Sequence, residues 1–361
     1  MSLAQSMCVT IPETMNAMVY RGVNDLRLEE VPVPRISPSE LLVRVALCGV
    51  CPTDIKKIQH GTIAPPRIFG HETSGTIVRI GAKVRGFAVG DRVALHHHVP
   101  CLDCHFCRHR AFAQCSTYRR TGVTAGFEPA GGGFSEYVRV LSFCLPGVVK
   151  IPPRNSFVEG AWLEPVNTVL KGIRQLKLLV GDTVLVIGQG PIGLLFNRLL
   201  NHAGMRVVGS DLLPARRELG LRFGATKTVD ATGPSWVDDL RRLTRGRGVD
   251  AVVITVPSDG AVTQGQQAVR GGGSVLLFAH TQFGHESRLD LARVCVEEKA
   301  LLGSYSSDFT LQREVARLVF SRQLDVRPLV THTFPLESAP EAIALVARAE
   351  PNALKVMVEP G

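Results

Sequence analysis

Residues 184–211 read Val184-Leu-Val-Ile-Gly188-Gln-Gly190-Pro191-Ile192-Gly193, then Leu-Leu-Phe-Asn-Arg-Leu-Leu-Asn-His-Ala-Gly204, then Met-Arg-Val-Val-Gly-Ser-Asp211. Four apolar residues, Val184 to Ile187, fit a buried strand, and Gly188, Gly190 and Gly193 follow as G-x-G-x-x-G. Pro191 stands where a helix starts, because its missing N–H costs nothing there. Ile192, Leu194, Leu195, Leu199 and Leu200 make an apolar helix, and Gly204 suits its C-terminal turn. Met205 to Gly209 read as a second strand with Asp211 at its end. Gly188 allows a tight turn, Gly190 lets a pyrophosphate approach bare backbone, and Gly193 lets helix and strand pack closely. The helix start offers free N–H groups and partial positive charge to the anion. Asp211 can accept from both ribose hydroxyls and would repel a 2′-phosphate, which favours NAD over NADP. Strand, helix, second strand and acid in register make this a dinucleotide site rather than a structural glycine turn.

The 361 residues provide for one or two domains with a large core. No apolar run reaches the roughly 20 residues that span a membrane. The start shows no basic flank ahead of an apolar block, so no secretory signal is expected, and residues 1–16 read as a disordered arm. The net charge of +9 is read as solvated helix and loop charge plus attraction for an anionic cofactor, because no nucleic-acid motif accompanies the arginine clusters. Nine cysteines cannot all pair, and four are bunched in one segment. That usage suits metal binding in the reducing cytoplasm.

From Met18 to about Ala46 the pattern is short strands. Cys48 and Cys51 follow, ahead of Thr53 and Asp54, where a strand gives way to a short helix. Cys51 alone reads as a small buried residue sooner than as a metal ligand. His71 lies between Gly70 and Glu72, and Gly75, Gly81 and Val84 complete G-H-E-x-x-G-x5-G-x-x-V. Cys101, Cys104, Cys107 and Cys115 form C-x2-C-x2-C-x7-C. Four thiolates in one loop can close a tetrahedron around zinc. An iron–sulfur motif would place its fourth cysteine sooner and before proline. The adjacent His96, His97 and His98 would point alternately to opposite faces of a strand, so they are read as strand end and cleft wall. Glu164, just before Pro165, is either a carboxylate favoured by a helix N-terminus or a ligand.

With these motifs in place, the sequence resembles the zinc-dependent medium-chain alcohol and polyol dehydrogenases from about Met18 to the C-terminus. The resemblance implies an α/β protein with a GroES-like β-rich catalytic domain (residues 17–165 and 310–361, with a structural zinc lobe at 96–120). A Rossmann NAD-binding domain (166–309) would carry a doubly wound parallel sheet of order 3-2-1-4-5-6. Family members hold a catalytic zinc in a cleft between the two domains. On the matching positions, Cys51 and His71 are zinc ligands and Glu164 is the third, directly or through water. Thr53 shares a proton with the substrate hydroxyl, and Asp54 orients the ligand histidine. Glu72 belongs to the catalytic set beside His71, as a residue behind the ligand or one that approaches the metal. Arg216 falls where relatives place a basic residue near the adenosine. Cys101, Cys104, Cys107 and Cys115 hold the structural zinc, making two zinc ions per chain. Lys56 departs from the pattern: many relatives carry histidine there as the outer end of a proton relay, and lysine can shuttle at neutral pH only with a lowered pKa.

The expected reaction is NAD-dependent oxidation of a secondary alcohol, such as a polyol, cyclitol or amino alcohol, to its ketone. Competing readings are a zinc-free quinone or enoyl reductase of the same fold and a non-catalytic NAD-binding or zinc-lobe interaction protein. The expected partners are a small-molecule alcohol and ketone, with no nucleic acid and no membrane. A homodimer or homotetramer would cover the apolar edge of the strand at Ala300–Tyr305.

Overall fold

The computed structural model describes residues 10–96, 98–121, 131–233, 236–279, 281 and 283–361. The chain divides into two compact units, one running to Glu164 and resuming at Val330, the other Pro165–Leu329. The sequence-based return at residue 310 therefore falls inside the second unit. The helix Gln312–Phe320 buries Val315, Val319 and Phe320, and Gln312 accepts a hydrogen bond from Asn167 of the helix Leu163–Gln175.

The first unit is β-rich. Its strands are β1 (Thr14–Gly22), β2 (Asp25–Pro32), β3 (Leu41–Gly49), β4 (Arg67–Ile68), β5 (Glu72–Ile80), β6 (Arg92–Ala94), β7 (Tyr137–Val140) and β8 (Val149–Lys150). Strand β1 begins inside the arm expected to be disordered, because Met15, Ala17, Met18 and Val19 are buried and the strand pairs with β2 from Thr14. Residues 1–9 of that arm lie outside the described residues.

The second unit contributes β9 (Thr183–Ile187), β10 (Arg206–Ser210), β11 (Lys227–Val229), β12 (Val249–Ile254), β13 (Val269–Leu277) and β14 (Ala300–Gly303). They form one parallel sheet in the order β11-β10-β9-β12-β13-β14, which is the 3-2-1-4-5-6 order expected. Strand β9 is buried throughout, as a central strand covered on both faces must be. Gly271 to Gly273 lie within β13; Gly272 takes φ +65° and the pairing slips between Val249 and Ala251.

The chain closes the first unit with β15 (Val330–Pro335) and β16 (Lys355–Glu359). Its large sheet runs β15-β16-β3-β5-β6-β8 with β7 also on β3, and a smaller sheet runs β2-β1-β4. One apolar cluster packs Tyr20, Phe69 and Phe134 with Val356 and Val358, and a second packs Leu41, Val43, Ile77, Leu95 and Val138. Adjacent residues of β3 thus feed opposite cores, the alternation a two-faced sheet requires.

Candidate active site and four-cysteine lobe

The end of β3, the start of β5 and the start of β16 meet at one point of the first unit. Cys51 caps the N-terminus of the helix Pro52–His60 with extended backbone, at the positive end of the helix. Thr53 and Asp54 lie in the first turn; Thr53 is half-buried and Asp54 fully buried. Gly70 takes φ +99°, and a Cβ on it would lie 2.7 Å from Cys48 Sγ and 2.9 Å from the backbone nitrogen of Phe134. Only glycine turns the chain there and delivers His71 and Glu72 inward.

One donor atom each from Cys51, His71 and Glu72 lies within 4.8 Å of the others. Asp54 Oδ1, on a fully buried carboxylate, stands 3.2 Å from His71 Nδ1, close enough to fix the orientation of the ring. Burial works against a charged His71, but Asp54 and Cys51 hold its pKa well above the usual value. A field that favours a cation on this ring also suits a dication beside it. Thiol, imidazole and carboxylate are together a donor set for zinc.

Glu164 is not in this group of three. It sits in the first turn of the helix Leu163–Gln175, and its Oε1 lies 3.2 Å from His98 Nδ1. The ring centroid of His98 is 5.8 Å from that of His71, 5.5 Å from His96 and 5.3 Å from Tyr118. His96 and His98 are thus neighbours in one buried cluster, as residues two apart in an extended segment share a face, although β6 itself ends at Ala94. His97 lies outside the described residues. Burial lowers the Lys56 pKa, with Cys51 opposing.

Lys355 went unnoticed in the sequence. It opens β16 fully buried, ion-pairs with Glu72, and donates to the carbonyl of Val50 at 3.2 Å. Its ammonium lies 5.6 Å from the centroid of the Trp162 ring. Burial opposes the charge on Lys355, but Glu72 raises its pKa above the usual value. Gly49 pairs with Glu72 across the strands, and a Cβ there would overlap the Glu72 carboxylate and come 2.8 Å from Lys355 Cε. A lysine beginning the apolar stretch Lys355-Val-Met-Val was the available signal.

Cys101, Cys104, Cys107 and Cys115 bring their sulfurs within 4.8 Å of one another. Cys101 Sγ is 3.9 Å and Cys104 Sγ 3.5 Å from Cys107 Sγ; zinc–sulfur bonds at tetrahedral angles give edges of roughly 3.8 Å. The backbone N–H of Cys101 donates to Cys115 Sγ and that of Cys104 to Cys101 Sγ. Backbone N–H groups of Asp103 and Cys104 bring the Cys101 thiol down to about 6, favouring the thiolate a metal needs. The arrangement fits a closed zinc site. Cys104→Ala should cost one zinc per chain and lower the thermal midpoint by roughly 10 °C, read by metal analysis and calorimetry; an unchanged midpoint with full zinc would refute it.

In the second unit, Gly188 takes φ +95° and its N–H donates to the Ser210 carbonyl at 2.8 Å. A Cβ on Gly193 would lie 1.8 Å from the Gly188 carbonyl oxygen, so the third glycine is imposed by the first. Gly190 caps the helix Pro191–His202, with Pro191 and Ile192 in its first turn. Asp211 Oδ2 accepts from Gln189 N at 2.7 Å and Oδ1 from Leu213 N at 2.9 Å. Arg216 is buried, with Nη1 3.6 Å from a Cβ built on Gly190. Its guanidinium therefore flanks the turn.

A glycine turn at a helix start, together with a grouped thiol, imidazole and carboxylate, is the equipment of a nucleotide-dependent oxidoreductase. Residues 37–153 match the alcohol dehydrogenase GroES-like domain and residues 191–321 the zinc-binding dehydrogenase domain. Sorbitol dehydrogenase of Bos taurus is 30% identical over 364 residues, covering 98% of this chain and 98% of its own. Sorbitol dehydrogenase of Bacillus subtilis is 28% identical, covering 97% of this chain and 99% of its own. Among solved structures, a putative zinc-binding dehydrogenase from Sinorhizobium meliloti bound to NADP superposes with a TM-score of 0.84 at 29% identity, covering 97% of this chain and all of the other. The chain belongs to the zinc-dependent medium-chain alcohol and polyol dehydrogenases.

Proposed function

We propose that the protein oxidises a secondary alcohol, such as a polyol, cyclitol or amino alcohol, to its ketone with NAD as hydride acceptor and zinc at Cys51 and His71. The convergence of Cys51, His71 and Glu72, with Asp54 behind the histidine, carries this reading. Bound there, zinc supplies Lewis acidity that eases deprotonation of an alcohol. Cys51 and Glu72 provide negative charge for a dication, Asp54 fixes the ring of His71, and Lys355 holds Glu72. Glu164, held by His98, completes the metal surroundings directly or through a water. The Thr53 hydroxyl takes the alcohol proton and passes it outward.

Asp211 selects NAD, because its carboxylate would face a 2′-phosphate with like charge. Arg216 beside the glycine turn supports the anionic cofactor. The exposed apolar residue Leu301 on edge strand β14 supports a homodimer or homotetramer that covers the edge. The bunched free thiols favour a reducing, cytoplasmic setting. No helix among the described residues is long and apolar enough to cross a membrane.

A zinc-free reductase would have no use for these three donors, and a non-catalytic binding protein would show no turnover. Incubation with NAD and a panel of polyols, cyclitols and amino alcohols should produce NADH absorbance with at least one of them. Absence of NADH across the panel, from protein loaded with zinc, would overturn the proposal.

A further inference from the structure

Gln189, the middle residue of the glycine turn, is fully buried, and both ends of its amide are engaged. Its Nε2 donates to the carbonyls of Val186 at 2.9 Å and Gly188 at 3.3 Å, and its Oε1 accepts from Asn197 Nδ2 at 2.6 Å. Two glycines from separate elements clear the slot. A Cβ on Gly209 of β10 would lie 2.9 Å from Gln189 Oε1, and one on Gly220 of the helix Pro214–Arg222 only 2.6 Å from it. Asn197 is also fully buried, on the apolar face of its helix between Leu194 and Leu200. Its Oδ1 has no hydrogen-bond partner among the described residues. A buried amide with an unmet acceptor is costly, so Asn197 serves here as a donor to Gln189.

The backbone N–H of this same clamped residue donates to Asp211 Oδ2 at 2.7 Å. A side chain bonded at both ends cannot rotate without stranding polar groups, which fixes the peptide carrying that N–H. Leu213 N holds the other carboxylate oxygen at 2.9 Å. We infer that Gln189 and Asn197 are positioning residues for the cofactor: the amide pair aims the Asp211 carboxylate, and so sets the preference for NAD over NADP without touching the dinucleotide.

This inference rests on the NAD reading above, and the two fail separately. The dissociation constants of NAD and NADP are measured for the full chain, for Asn197→Ala, and for Gln189→Met, whose thioether fills the slot with no donor and only a weak acceptor. Both substitutions should weaken NAD about five- to thirtyfold and NADP by less, moving the ratio of the two constants toward one. Zinc content should hold. The ratio is independent of the fraction of chains folded, so partial misfolding does not mimic the effect. In an Asp211→Asn background the same substitutions should leave the ratio unchanged. Equal weakening of both dinucleotides, or no weakening of NAD, would overturn the positioning role. A wild-type protein that binds neither dinucleotide, or prefers NADP, would overturn the NAD reading itself.

Discussion

Replacing Cys51 by serine is expected to lower turnover at least about a thousandfold, with NADH affinity held within about a factor of two. The effect is local by construction. Cys51 caps the helix Pro52–His60 through its backbone, and its side chain makes no capping hydrogen bond, so the helix keeps its start when the sulfur is exchanged for oxygen. What is lost is the softest donor of the Cys51, His71 and Glu72 group, together with the anionic charge that a neutral hydroxyl cannot replace. The glycine turn and Asp211 belong to the other unit, so dinucleotide binding reports separately on folding. Steady-state rates with the best alcohol of the panel, alongside an NADH titration, make the test. Retention of full turnover by the serine variant would remove the thiolate from the reaction.

The second large effect is expected at Lys355. Lys355→Met keeps the length of the stem and deletes the buried ammonium that pairs with Glu72 and donates to the Val50 carbonyl. A carboxylate left alone in a buried site costs about 3–5 kcal/mol. The carboxylate fills the space that the missing Cβ of Gly49 leaves. Burial already pushes the Glu72 pKa upward even with Lys355 present, and loss of the lysine's charge pushes it further the same way, which weakens Glu72 as an anionic donor. The variant should therefore lose stability, seen in denaturant unfolding, and zinc affinity in the Cys51 site. Adding Glu72→Gln should restore much of the stability and none of the metal affinity. Equal stability of Lys355→Met and wild type would show that the pair does not hold the site together.

The sequence carried the second unit further than the first. The order of its parallel sheet followed from strand–helix alternation, because a glycine turn, a buried apolar strand and a right-handed crossover leave few arrangements. Its boundary at 310 was misplaced, since the helix Gln312–Phe320 has an apolar face like any other and only its partners, such as Asn167, show which unit it covers. In the first unit, the grouping of Cys51 with His71 and of the four cysteines was legible, because a donor set fit for a metal constrains residue type and interval. Local motifs do not disclose what folds back from far along the chain. Glu72 and Lys355 are separated by nearly the whole sequence, and β16 brings them together by pairing with β3 at Cys48 and Gly49. The engagement of Glu164 with His98 was hidden for the same reason. Within the glycine motif, the pattern sets no residue type at the middle position, whereas the structure gives Gln189 its own slot cut by Gly209 and Gly220.

Metal analysis of purified protein, wild type beside Cys51→Ser, bears most directly on the electrophile that the proposed chemistry needs. Wild type should contain close to two zinc ions per chain, one for each donor cluster, and Cys51→Ser close to one. Wild-type protein that is active on an alcohol while holding only the zinc of the four-cysteine lobe would contradict the assignment.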